Sequence, residues 1–181
     1  MRINSNELNR EQNENFSKYL HTISDFERIG DHSNNLCAVA EEIQDKKIQF
    51  TEDAVKEMYR LSEAVREILG LAINAFIQDD EEIAFRVEPL ESCIDGLCDQ
   101  MKANHVARLQ AGKCSLAQGF VFNDFITNCE RVADHCSNIA IAVIELNHDV
   151  FDAHDYVNSI QKVHGTAFER YLKEYSDRYG F

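Results

Sequence analysis

One proline, Pro89, and seven glycines are little punctuation for 181 residues. An all-β chain needs turn residues far more often, so the scarcity excludes that class and points to long helices joined by short loops. Long apolar runs are also missing. Ile139 to Ile144 is among the longest, far below the roughly 20 residues of a membrane-spanning helix. Met1 to Tyr19 is polar and lacks the apolar stretch of a signal peptide, so a soluble intracellular chain is expected. No CxxC pair occurs among Cys37, Cys93, Cys98, Cys114, Cys129 and Cys136. Buried free thiols therefore fit better than a disulfide framework or a cysteine zinc site. Basic residues are few: 18 Lys and Arg stand against 32 Asp and Glu, a net charge of −14. A chain this acidic is repelled by phosphate backbones, which removes nucleic acid as a partner. No GxxxxGK[ST], GxSxG or HExxH motif, Gly-rich dinucleotide turn or nucleophile-base spacing is present, so an enzyme is not expected.

What is abundant is helical periodicity. Phe16, Leu20, Ile23, Phe26, Ile29, Leu36, Val39 and Ile43 recur at three- and four-residue spacing and predict a first helix over about 11–47. Thr51 is placed to cap a second helix, running to about Gln78 through Val55, Met58, Leu61, Val65, Ile68, Leu69 and Ile73. The acidic turn Asp79 to Glu82 suits the start of a third, which Pro89 should kink or restart and Gly112 should close. Ser115 caps a fourth helix reaching about His148, and Asp149 or Asp152 can start a C-terminal segment broken at Gly165. Short loops make successive helices antiparallel neighbours, so the expected fold is all-α, an up-and-down helical bundle.

Two stretches of this pattern resemble each other. Glu27-Arg28-Ile29-Gly30-Asp31-His32-Ser33-Asn34-Asn35 and Glu130-Arg131-Val132-Ala133-Asp134-His135-Cys136-Ser137-Asn138 agree at five of nine positions. Both sit mid-helix, and Ile23 and Leu36 of one flank correspond to Ile126 and Ile139 of the other. Residues four apart share a helix face, so Glu27 with Asp31 and Glu130 with Asp134 each set two carboxylates side by side, with Asn35 and Asn138 continuing the rows. At about 5 Å and an effective dielectric of about 20, two such charges repel by roughly 3 kcal/mol. A cation turns that repulsion into a binding site. A third pair, Glu91 and Asp95, lies on the preceding helix, extended by Glu88 and Asp99. Antiparallel packing can set it opposite Glu130 and Asp134, giving four carboxylates for an oxygen-liganded ion. Solvated surface acids are the plainer account of any single pair.

His32 and His135 follow their glutamates by five positions, not the three of a ferritin-like Glu-x-x-His. They are poorly aimed as direct ligands and could serve as hydrogen-bond partners outside the ligand set, as interhelical contacts or as polar surface. Arg28 and Arg131 read first as helix-surface ion pairs, with phosphate binding as the alternative. Capping accounts for most of the cluster His148, Asp149, Asp152, His154 and Asp155.

With Glu91-x-x-x-Asp95 on one helix and Glu130-x-x-x-Asp134 on the next, preceded by Glu27-x-x-x-Asp31, the chain resembles the PhoU family of helical-bundle regulators of phosphate uptake. It is most similar to the PhoU-like region that ends bacterial sodium/phosphate cotransporter-related proteins, whose tails have an aromatic ending like Phe168 to Tyr179. The resemblance implies two three-helix repeats holding a divalent or trivalent metal: iron, zinc, manganese or magnesium. It assigns Glu91, Asp95, Glu130 and Asp134 to one site and Glu27 and Asp31 to half of another, with Asn35, Asn138, His32 and His135 around them. On this reading 1–50 is the last helix of an incomplete first repeat, 51–148 a complete repeat and 149–181 a helical tail. The chain is then either a piece of a larger protein or completed by another copy. The implied partners are a phosphate transporter, in the same polypeptide or separate, or a signalling kinase, at the cytoplasmic face of the membrane. An exposed apolar stripe on the first helix favours a homo-oligomer. A carboxylate-bridged metalloenzyme and a purely structural bundle are the competing readings.

Overall fold

A computed structural model describes residues 10–147 and 165–180. Among these residues there are six helices and no strand: α1 (Arg10–Asp45), α2 (Glu52–Gln78), α3 (Glu81–Ala84), α4 (Val87–Gln110), α5 (Leu116–Asn147) and α6 (Gly165–Tyr179). Local chemistry sets their ends. The Thr51 hydroxyl accepts from the Ala54 N–H and caps α2. Ser115 and Gln118 form a reciprocal capping box at the start of α5, the Gln118 N–H donating to Ser115 Oγ at 3.2 Å. Gly112, at φ +66°, closes α4 in a Schellman turn: its N–H reaches Leu109 O and that of Lys113 reaches Arg108 O.

The third helix expected over 80–111 is two helices. Asp80 caps the short α3 through the Ile83 N–H at 3.1 Å, the chain breaks at Phe85 and Arg86, and α4 restarts at Val87. Pro89 then falls in the first turn of α4, where its missing N–H has no helical acceptor to lose. The cluster 148–155 lies outside the described residues.

Cross-helix contacts fix the directions. Lys18 reaches Glu145 and His32 reaches Asn128, so α1 and α5 are antiparallel; Glu88 with Ser137 and Lys102 with Glu130 do the same for α4 and α5. The result is an up-and-down bundle with α5 at its centre, packed against α1, α2 and α4, while α6 lies across α4 and α2. Leu61, Ile68, Leu90, Ile94, Met101, Phe122, Ile126, Ile139 and Val143 form the buried core, and Tyr175 of α6 is fully enclosed against it. Four cysteines are buried as expected, but Cys37 is exposed and Cys114 half-buried; all six are free.

The first helix is attached differently. Ile29 and Val39 are buried and Phe26 packs edge-on against Phe76, yet Phe16, Tyr19, Leu20 and Ile23 are exposed, Ile23 at 61%. Its sequence counterpart Ile126 is fully buried. No helix among the described residues is long and apolar enough to cross a membrane.

Candidate metal centre

The restart at Val87 sets the phase of α4, and that phase puts Leu90, Ile94 and Leu97 into the core and Glu91 and Asp95 at its edge. On the antiparallel α5, buried Val132 and Ala133 leave Asp134 facing them. One oxygen of each of Glu91, Asp95 and Asp134 lies within 4.8 Å of the others, and no other group of three such ligand atoms forms among the described residues. Burial pushes the Glu91 carboxyl up to about 8, and Asp95, Glu88 and Asp134 add like-charge repulsion that a Ser92 hydrogen bond only partly offsets. Asp95 is also raised, by burial first and then by Asp134, Glu130 and Asp99, with Lys102 opposing. Burial and like charge together thus favour the protonated form of both carboxyls.

Glu130, expected as the fourth member, is not part of the trio; its Oε2 accepts from Lys102 Nζ at 2.8 Å. Arg131 pairs with Asp134 at 3.1 Å, the surface ion pair expected of it. Glu88 accepts a 2.6 Å hydrogen bond from Ser137. Glu27 and Asp31 are exposed on α1 and belong to no carboxylate group. His32, His135, Asn35 and Asn138 all lie in the seam between α1 and α5. His32 Nδ1 meets Asn128 Oδ1 at 2.9 Å, and Asn35 donates to the same oxygen. His135 Nδ1 lies 2.9 Å from Asp25 Oδ1, which also accepts from Asn138, and the two imidazoles stack with centroids 5.7 Å apart. Of the alternatives for the histidines, their contacts here are interhelical.

Lys102 and Asp25 escape a search for acidic pairs, since each acts through a partner on another helix. The signal for Lys102 was its position: with Glu88, Glu91, Asp95 and Asp99 it continues one heptad-spaced row on α4. A second polar centre was also missed. Buried Glu57 accepts from Arg108 Nη1 and Nη2 at 2.9 and 2.7 Å and from Asn104 Nδ2 at 2.8 Å.

Comparison with known proteins bears on the same segment. The PhoU domain matches residues 49–143, more than half of the chain, a span that contains Glu91, Asp95, Glu130 and Asp134 and excludes Glu27 and Asp31. The phosphate-specific transport system accessory protein PhoU homolog 1 of Thermotoga maritima is 29% identical over 131 residues, which are 70% of this chain and 56% of that protein. The chain therefore spans about half the length of the curated relative it matches. No solved structure matches. With its helical bundle and more than half its length matched, the chain belongs to the PhoU family.

Proposed function

We propose that this chain is a regulatory module of phosphate transport whose α4–α5 carboxylates bind a metal ion. The observation that carries the metal reading is the trio Glu91, Asp95 and Asp134, drawn within 4.8 Å on two helices with Glu91 held as an acid up to about pH 8. Like charges are brought together there with too little positive charge to balance them, and an oxygen-only donor set suits manganese, iron or magnesium better than zinc, which favours nitrogen and sulfur. Glu91 and Asp95 would hold the ion from α4 and Asp134 from α5, with Glu130 one turn away to complete the set. The bound ion supplies the missing charge and ties the two helices together.

The regulatory role follows from membership of the PhoU family and from likeness to a relative named for a phosphate-specific transport system. The partner is then a phosphate transporter, in the same polypeptide or a separate one, or a kinase that reports on it, met at the cytoplasmic face of the membrane. The exposed Phe16, Tyr19, Leu20 and Ile23 stripe of α1 supplies a contact surface for a second copy.

Elemental analysis of protein purified without chelator tests the metal claim. Wild type should retain manganese, iron or another divalent ion, and the double variant Glu91→Gln, Asp134→Asn should retain none. Equal metal content in the two proteins overturns the proposal.

A further inference from the structure

The four motif carboxylates of α4 and α5 are not equivalent. Three converge, and the fourth, Glu130, is taken by Lys102. Glu130 is near enough to contribute repulsion at Asp95, yet no oxygen of it joins the group of three. What holds it is the ammonium: Lys102 Nζ is 2.8 Å from Glu130 Oε2 and 3.8 Å from Asp99 Oδ1, bridging α4 to α5 where a metal ion would otherwise do so.

Resting on the metal reading above, we infer that Lys102 is a tethered cation that competes with the metal for Glu130 and so sets the metal concentration at which the site fills. An ammonium brings one positive charge and satisfies a carboxylate by hydrogen bonding; a divalent ion brings two charges and needs several oxygens. Recruiting Glu130 to the ion breaks the Lys102 bond and leaves two cations side by side. Lys102 therefore stabilises the metal-free protein and opposes the loaded one. Arg131 plays no such part, since it is 60% exposed, pairs with Asp134 along the same helix and can swing into solvent. A merely structural Lys102, half-exposed as it is, would give an ion pair of small effect with no bearing on metal affinity.

Isothermal titration with Mn²⁺ and thermal unfolding, each on wild type, Lys102→Met and Lys102→Arg, separate the cases. Lys102→Met should bind Mn²⁺ about five- to tenfold tighter than wild type. It should also melt lower than wild type in EDTA and show the larger Mn²⁺-induced rise. Lys102→Arg keeps the charge and should return affinity close to wild type. Equal affinity of wild type and Lys102→Met, both binding, overturns the competition while leaving the site intact. Failure of wild type and both variants to bind Mn²⁺ overturns the site itself and this inference with it.

Discussion

Replacing Glu91 by Gln removes one charge from the trio while keeping its shape, and the consequence for stability can be worked out with its sign. The Glu91 carboxyl rises from its ordinary 4.5 to about 8 in the folded protein. A group whose folded pKa lies above its unfolded value contributes stability that is fully present below the unfolded value and is lost as the pH climbs through the folded one. The window here runs from about pH 4.5 to pH 8. A shift of this size at about 1.4 kcal/mol per unit would amount to about 5 kcal/mol. Glu91 is only half-buried, so solvent screening reduces this to about 2 kcal/mol.

Metal-free wild type should therefore lose about 2 kcal/mol between pH 5 and pH 9 from this site, and Glu91→Gln should not. The two proteins should melt alike at pH 5, and the variant should melt roughly 4–8 °C higher at pH 9. Circular dichroism melts in EDTA at pH 5, 7 and 9 provide the measurement. With Mn²⁺ present the order should reverse, because the variant loses a ligand. A variant less stable than wild type in EDTA at pH 9, or a gap that does not change with pH, refutes the reasoning. The same protonation makes metal uptake at pH 7 expel about one proton. Titration calorimetry in buffers of different ionisation enthalpy should count that proton at pH 7 and lose it above pH 9.

The buried Glu57–Arg108 pair should behave oppositely to a surface ion pair. Arg108→Met alone leaves a 5% exposed carboxylate without its bidentate partner and should cost about 3–5 kcal/mol in urea unfolding, most of it recovered when Glu57→Leu is added. A single variant within about 1 kcal/mol of wild type would show the pair to be a spectator. Glycines divide by their surroundings. At Gly70 and Gly96, interior to helices, an added Cβ meets nothing within 4 Å, so alanine should add about 0.5–1 kcal/mol at each. At Gly119 the Cβ would lie 2.6 Å from Nε2 of His105, whose ring is stacked on Phe122, and Gly119→Ala should cost about 1–3 kcal/mol. A stabilised Gly119→Ala protein would contradict the packing of His105 over the first turn of α5.

Signals carried by neighbours in the chain were legible, and signals carried by neighbours in space were not. Thr51, Ser115 and Gly112 mark helix ends because a hydroxyl or a positive φ acts on the backbone two or three residues away. Of the four carboxylates expected to face one another, Glu91, Asp95 and Asp134 do come together and Glu130 does not. Four-residue spacing fixes a face and antiparallel order fixes which faces meet, but not which side chain finds another partner. The repeat of Glu-Arg-x-x-Asp-His in α1 and α5 was a weaker guide. Its two copies have nearly the same chemistry but different numbers of packing partners, since α5 touches three long helices and α1 makes its main contact with α5 alone. The same flank is accordingly buried at Ile126 and exposed at Ile23.

That asymmetry explains why only the α5 copy of the motif places a carboxylate, Asp134, in an acidic cluster. A ring of acids needs a second acidic helix held at packing distance against the first, and the apolar cost of holding it there is met by Leu90, Ile94 and Leu97 of α4 against Ile126, Ala133 and Ile139 of α5. Glu130 and Asp134 have that helix facing them; Glu27 and Asp31 face solvent. The charge that makes the chain acidic as a whole is concentrated only where a hydrophobic interface compels acids of two helices together.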